Sequence, residues 1–129
     1  MPSPQSTDDP RTCARCGRTI EPRRSLARNW AAVKWCSDAC RRAGLKAVDE
    51  RLESAILQLL ASRAGGATAC PSEAARAVGG TGWQELMEPA RCAARRLVAA
   101  GRIEILQGGR TVDPSTAKGP IRLRLVRRG

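Results

Sequence analysis

A chain of 129 residues with 23 Lys and Arg against 12 Asp and Glu carries a formal net charge of +11, which suits an anionic partner such as nucleic acid or an acidic protein, the alternative being a solvated basic face set by genomic base composition. It contains no histidine, so the commonest general base and every imidazole metal ligand are missing. No apolar run approaches the roughly eighteen residues that a membrane span requires, and the length suits two small unequal modules.

Residues 1–10, rich in Pro, Ser and Asp, lack a basic stretch leading into an apolar run; a disordered tail is expected there rather than a secretory signal, and the cytoplasm is the expected location. A module over 11–46 follows. Its Cys13-x2-Cys16 pair is answered about twenty residues later by Cys36-x3-Cys40, a spacing that lets two local thiol pairs close one tetrahedral site. Without histidine all four ligands must be thiolates, and zinc is the expected ion. Gly17 suits a tight knuckle after the first pair, whereas Cys36 and Cys40 stand at i and i+4 of a first helical turn signalled by Ser37 and Asp38. Two disulfides are the competing reading, disfavoured in a reducing compartment. A segment this short cannot bury a stabilising core alone, so the metal would fold it, with Trp30, Val33 and Trp35 as apolar cover; base stacking is the alternative use of the tryptophans.

Residues 47–129 read as a second domain. Leu52, Ile56, Leu59 and Leu60 recur at helical spacing up to Gly65-Gly66. Cys70-Pro71-Ser72-Glu73 is a capping-box start for a short helix over 74–78, stopped by Gly79-Gly80. Trp83 opens a third helical region whose main run begins near Pro89 and ends at Gly101. On it Ala90, Ala93, Ala94, Leu97 and Val98 share an apolar face, which leaves Arg91, Arg95 and Arg96 for solvent. Ile103 and Ile105, a Gly108-Gly109 turn, a loop over 111–119 and alternation at Ile121, Leu123 and Leu125 complete a hairpin. The fold expected is therefore α+β, a four-cysteine zinc knuckle followed by a winged helix of three helices and a β-hairpin.

These same residues carry resemblances. Cys13 to Gly17, Trp30, Val33 to Ser37, Cys40 and Arg41 resemble an uncharacterised family of short bacterial four-cysteine proteins. An aromatic residue belongs shortly before Arg23-Arg24 in that pattern, where this chain has Ile20 and Pro22. Cys70 to Glu73, Trp83, Leu86, Met87, Arg91, Gly101 and Gly119 to Arg122 resemble a second uncharacterised family, winged-helix-like, and the two are known to occur fused. The turn from Cys36 to Arg41 is also similar, over a few residues, to the small zinc protein that inhibits DNA gyrase, which implies that a protein could be the partner.

Enzyme chemistry is not expected. A four-thiolate site has no open position for water, and Gly79-Gly80-Thr81-Gly82 lies between helices rather than after a strand. Cys70, at a helix start, is a candidate reactive thiol, and Cys92 a weaker one. The function expected is non-enzymatic nucleic-acid binding in which Arg91, Arg95 and Arg96 on the third helix and Arg110 and Lys118 on the wing approach DNA, by phosphate positioning more than by base readout, since the alanine-rich third helix offers few Asn or Gln partners. The alternative is an adaptor whose zinc module docks an acidic or nucleic-acid-associated protein; no small-molecule substrate is indicated.

Overall fold

A computed structural model describes residues 11–21, 32–63 and 66–126, and shows a mixed α+β chain in which a four-cysteine cluster precedes a helical domain with a β-sheet. The tail 1–10, Arg23, Arg24, Arg28, Trp30 and Gly65 lie outside the described residues.

The first strands are the shoulders of a knuckle. β1 (Arg11–Thr12) pairs antiparallel with β2 (Thr19–Ile20), and the turn between them carries Cys13 and Cys16. Gly17 has φ 76°, a conformation that a side chain would strain. It closes the turn by donating to Cys13 O at 3.1 Å, while Cys13 N–H donates to Arg18 O at 2.9 Å. The second pair flanks the start of α1 (Asp38–Ala43), where the Ser37 hydroxyl accepts from Cys40 N–H at 3.2 Å as an N-cap.

Local signals also set the limits of the second domain. In α2 (Ala47–Ala61) the Asp49 carboxylate accepts from Lys46 N–H at 2.8 Å, and Leu52, Ile56 and Leu60 form the buried stripe. After β3 (Thr68–Ala69), α3 (Pro71–Gly79) starts with Pro71 in its first turn and Glu73 accepting from Cys70 N–H at 2.9 Å. A 3-10 segment, Gly80–Leu86, leads into α4 (Met87–Ala99). This helix begins two residues before Pro89, which therefore sits in the first turn, where its missing N–H has no partner to lose.

β4 (Ile103–Gln107), β5 (Arg110–Thr111) and β6 (Arg122–Leu125) follow, giving an antiparallel sheet in the order β3-β6-β4-β5. Gly108 and Gly109, at φ 57° and 82°, make the tight turn between β4 and β5. The sequence did not announce β3: two residues have no visible period, yet Thr68 pairs with Arg124 and Ala69 with Leu123. Otherwise the elements run in the order expected of a winged helix.

One apolar cluster joins these elements. The α3 and α4 faces supply Ala74, Ala75, Ala90, Ala93 and Ala94, small enough for close backbone approach, while Leu52, Ile56, Ile103, Ile105 and Leu123 fill the volume.

The α3 start has a measurable pH signature. Hydrogen bonding from the Arg63 guanidinium, then from Cys70 N–H, draws the Glu73 carboxyl down to about 2. Its folded value lies below the ordinary value of about 4.3, so its contribution is present above that pH and is lost as pH falls toward 2. Glu73→Gln should cost about 1 kcal/mol at pH 7 in urea unfolding, and the gap from the parent should close in acid. A gap that stays constant from pH 7 to pH 3 would remove Glu73 from this role.

Candidate metal centre

The four expected cysteines converge. The sulfurs of Cys13, Cys16, Cys36 and Cys40 all lie within 4.8 Å of one another, with Cys36 at 3.6 Å from both Cys16 and Cys40. Backbone bonds set the two halves face to face: Ala14 N–H donates to Lys34 O at 2.7 Å, and Arg11 Nε donates to Val33 O at 2.9 Å. Cys13, Cys16 and Cys40 are buried and Cys36 is exposed. This donor set could hold a metal ion.

Burial pushes the Cys13 thiol up, but backbone N–H groups of Cys16, Cys36 and Arg15 outweigh it and bring the thiol down to about 7. Burial raises Cys16, as do its contacts with the Cys36 and Cys13 thiols, and burial likewise raises Cys36. Four sulfurs at this separation resist ionising together unless a cation joins them, so loading the site would release protons. Ile20, Val33 and Trp35 cover the cluster, and so does Cys92 from α4. Arg15 lies here too: burial works against its charge, and Cys92, Cys40 and Asp49 more than offset that.

The third helix differs from its expected role. Arg95 and Arg96 do not face solvent; they are bolts between α4 and the knuckle. Arg95, 6% exposed, donates from Nε to Cys16 O at 2.6 Å and from a terminal nitrogen to Glu88 at 2.9 Å and to the Cys92 sulfur at 3.4 Å. Arg96 donates to Arg15 O, to Glu53 at 2.5 Å and to Asp49 O at 3.2 Å, so it ties the knuckle, α2 and α4 together. Gly17 permits the approach, since a Cβ there would lie 2.4 Å from Arg95 Cβ and 2.7 Å from backbone atoms of the helix. The helical projection failed because it sorts arginine with solvent, whereas a guanidinium can be buried when carbonyl and carboxylate oxygens accept its protons. Cys92 was the overlooked signal: a residue type that prefers burial on the supposedly solvated face.

Arg91 is half-buried, and Arg110 and Lys118 are exposed. Gln107 Nε2 donates to Lys118 O and to Pro120 O, joining the loop that carries Lys118 to the hairpin that carries Arg110. Cys70 is half-buried at the α3 start, and its sulfur accepts from the Ser72 hydroxyl at 3.2 Å. Cys92 is buried at the interface. Gly17, expected from the sequence to close the knuckle, does so and also meets α4; Arg15 beside it belongs to the docked knuckle, and Arg18 is exposed at its edge.

Residues 49–126 match the family described as Protein of unknown function (DUF3253), and residues 5–43 match the one described as Uncharacterized protein conserved in bacteria (DUF2256). No curated protein matches the chain.

Two substitutions separate ligation from docking. Cys36→Ser removes the exposed donor, and metal measured on the purified reduced chain should fall from about one ion per chain to nearly none. Retention of a full equivalent would refute the four-thiolate site. Arg95→Ala should lower unfolding stability by about 2 kcal/mol, because it leaves Cys16 O without its donor at a buried interface, while the exposed Glu88 stays solvated. A loss within about 0.5 kcal/mol, as for a surface residue, would refute the bolt.

Proposed function

The chain belongs to the family described as Protein of unknown function (DUF3253), with the four-cysteine segment of a second bacterial family before it, and we propose that it is a non-enzymatic, zinc-containing nucleic-acid-binding protein. The metal would be structural. A tetrahedral ion with zinc–sulfur bonds of about 2.3 Å spaces its sulfurs about 3.8 Å apart, close to the 3.6 Å of Cys36 from Cys16 and from Cys40 in a set that lies within 4.8 Å. Cys13, Cys16, Cys36 and Cys40 would hold it, and Cys13, Cys16 and Cys40 are screened by apolar cover. Four thiolates leave no coordination position for water, which is the reason for assigning no hydrolytic role. A reducing cytoplasm is the compartment that suits them. Among the described residues no helix is long and apolar enough to cross a membrane.

The observation that carries the nucleic-acid reading is the group of exposed cations on the hairpin and the adjoining knuckle. Arg110 and Lys118 belong to the wing of a winged-helix arrangement, and Thr19 N–H donates to the Ser115 hydroxyl at 3.0 Å, which brings the Arg18 edge of the knuckle to the wing loop. Contact through these side chains is phosphate positioning rather than base readout. With Arg95 buried and Arg96 engaged by Arg15, Glu53 and Asp49, the wing takes over from the third helix as the main contact surface.

That burial also favours a second reading. A helix capped by another module is poorly placed to enter a major groove, and Arg41 and Arg42, exposed on α1, could instead meet an acidic protein.

Titration of duplex DNA at several salt concentrations tests the first reading. Log affinity should fall linearly with log salt at about −0.9 per phosphate contact, and Arg110→Ala and Lys118→Ala should each flatten the slope by about one. If both variants bind as the parent does at every salt concentration, the wing reading fails. Protein captured equally with and without nuclease would then support the adaptor.

A further inference from the structure

A cleft of about 160 Å³ lies where the knuckle, α4 and the loop after β5 meet. Its wall carries Arg18 from the knuckle, Arg91 and Arg95 from α4 and Lys118 from the loop, against a single acid, Glu88. Arg95 is already committed, since it donates to Glu88 at 2.9 Å and to Cys16 O at 2.6 Å. The pairing neutralises Glu88 and leaves Arg18, Arg91 and Lys118 without an ion-pair partner among the described residues. Arg91 Nε is in addition buried with no hydrogen-bond partner. A buried guanidinium N–H that meets neither protein nor bulk water is an unsatisfied donor, and beside two further cations its natural complement is an anion.

We propose that this cleft binds a phosphomonoester, the terminal phosphate of a nucleic-acid strand or of a free nucleotide. The charge selects the group. A phosphomonoester carries about −1.5 to −2 at neutral pH and offers three acceptor oxygens, whereas a phosphodiester inside a strand carries a single charge. Three converging cations from three separate segments match the former better. Arginine adds directional paired donors, and Lys118 adds a mobile point charge at the rim. The proposal takes from the nucleic-acid reading only the choice of carrier; the cleft's chemistry does not depend on it.

Three forms of one internally labelled single-stranded oligonucleotide, with a 5′-phosphate, a 3′-phosphate or neither, are titrated by anisotropy against the zinc-loaded full chain. Adenosine monophosphate and inorganic phosphate are titrated by calorimetry. One phosphorylated form should bind about tenfold more tightly than the unphosphorylated strand, and adenosine monophosphate should compete for the difference. Arg91→Gln should abolish that preference. Lys118→Gln, on an exposed loop residue and so without consequence for folding, should reduce it by several-fold.

Equal binding of all three strands, with no uptake of adenosine monophosphate or phosphate, overturns the proposal. So does a preference that survives both substitutions. Strands that bind with a steep salt dependence but without preference would refute the cleft and leave the wing reading intact. Arg91-dependent binding of adenosine monophosphate without any strand binding would support the cleft and refute the nucleic-acid function.

Discussion

Two neighbouring guanidinium groups meeting two neighbouring carbonyls hold this molecule in one piece. A thiolate knuckle turns its N–H groups inward to the sulfurs, which leaves its carbonyls pointing out. Two of these carbonyls, on Arg15 and Cys16, are met by Arg96 and Arg95 on successive positions of α4. Each side needs the other, because a buried cation without acceptors and a buried carbonyl without a donor are both costly. The segments that match two separate families are therefore packed against each other, and Arg96 extends the tie into α2 through Glu53 and Asp49.

This interface changes how the second domain can be used. α4 is occupied on two faces, by the apolar cluster on one and by the knuckle on the other, and its buried positions include Ala90, Cys92, Ala93, Ala94, Arg95 and Leu97. The exposed cations Arg18, Arg110 and Lys118 lie outside that helix, on the knuckle and on the segment that follows β4. The loop after β5 stands beside the knuckle through Thr19 and Ser115, and the proposed anion cleft exists only because the two halves meet there.

Features governed by short-range rules were legible in the sequence. The four clustered cysteines come in two local pairs, and α1 and α3 start where Ser37 and Glu73 return a hydrogen bond to the backbone. Features governed by distant partners were not. β3 is defined by the strand opposite, since Thr68 and Ala69 have meaning only beside Arg124 and Leu123. Arg95 and Arg96 were assigned to solvent because their acceptors, Cys16 O and Arg15 O, lie 79 and 81 residues earlier in the chain. Composition cannot distinguish an arginine that waits for phosphate from one already bonded to its own backbone. Gly17 and Cys92 carried the missing information, one as the place where backbones touch and the other as a residue that prefers to be covered.

The same long separation has a kinetic side. Residues that follow the knuckle build most of their apolar cluster from consecutive elements, so their assembly closes short loops, whereas the Arg95 bond closes one of 79 residues. During synthesis the knuckle emerges first and waits for α4. Its thiols spend that interval without the lid that Cys92 and the helix later provide, open to metal capture and to oxidants alike. A newly made chain therefore leaves the thiols of the knuckle uncovered until α4 has been made and can pack on them.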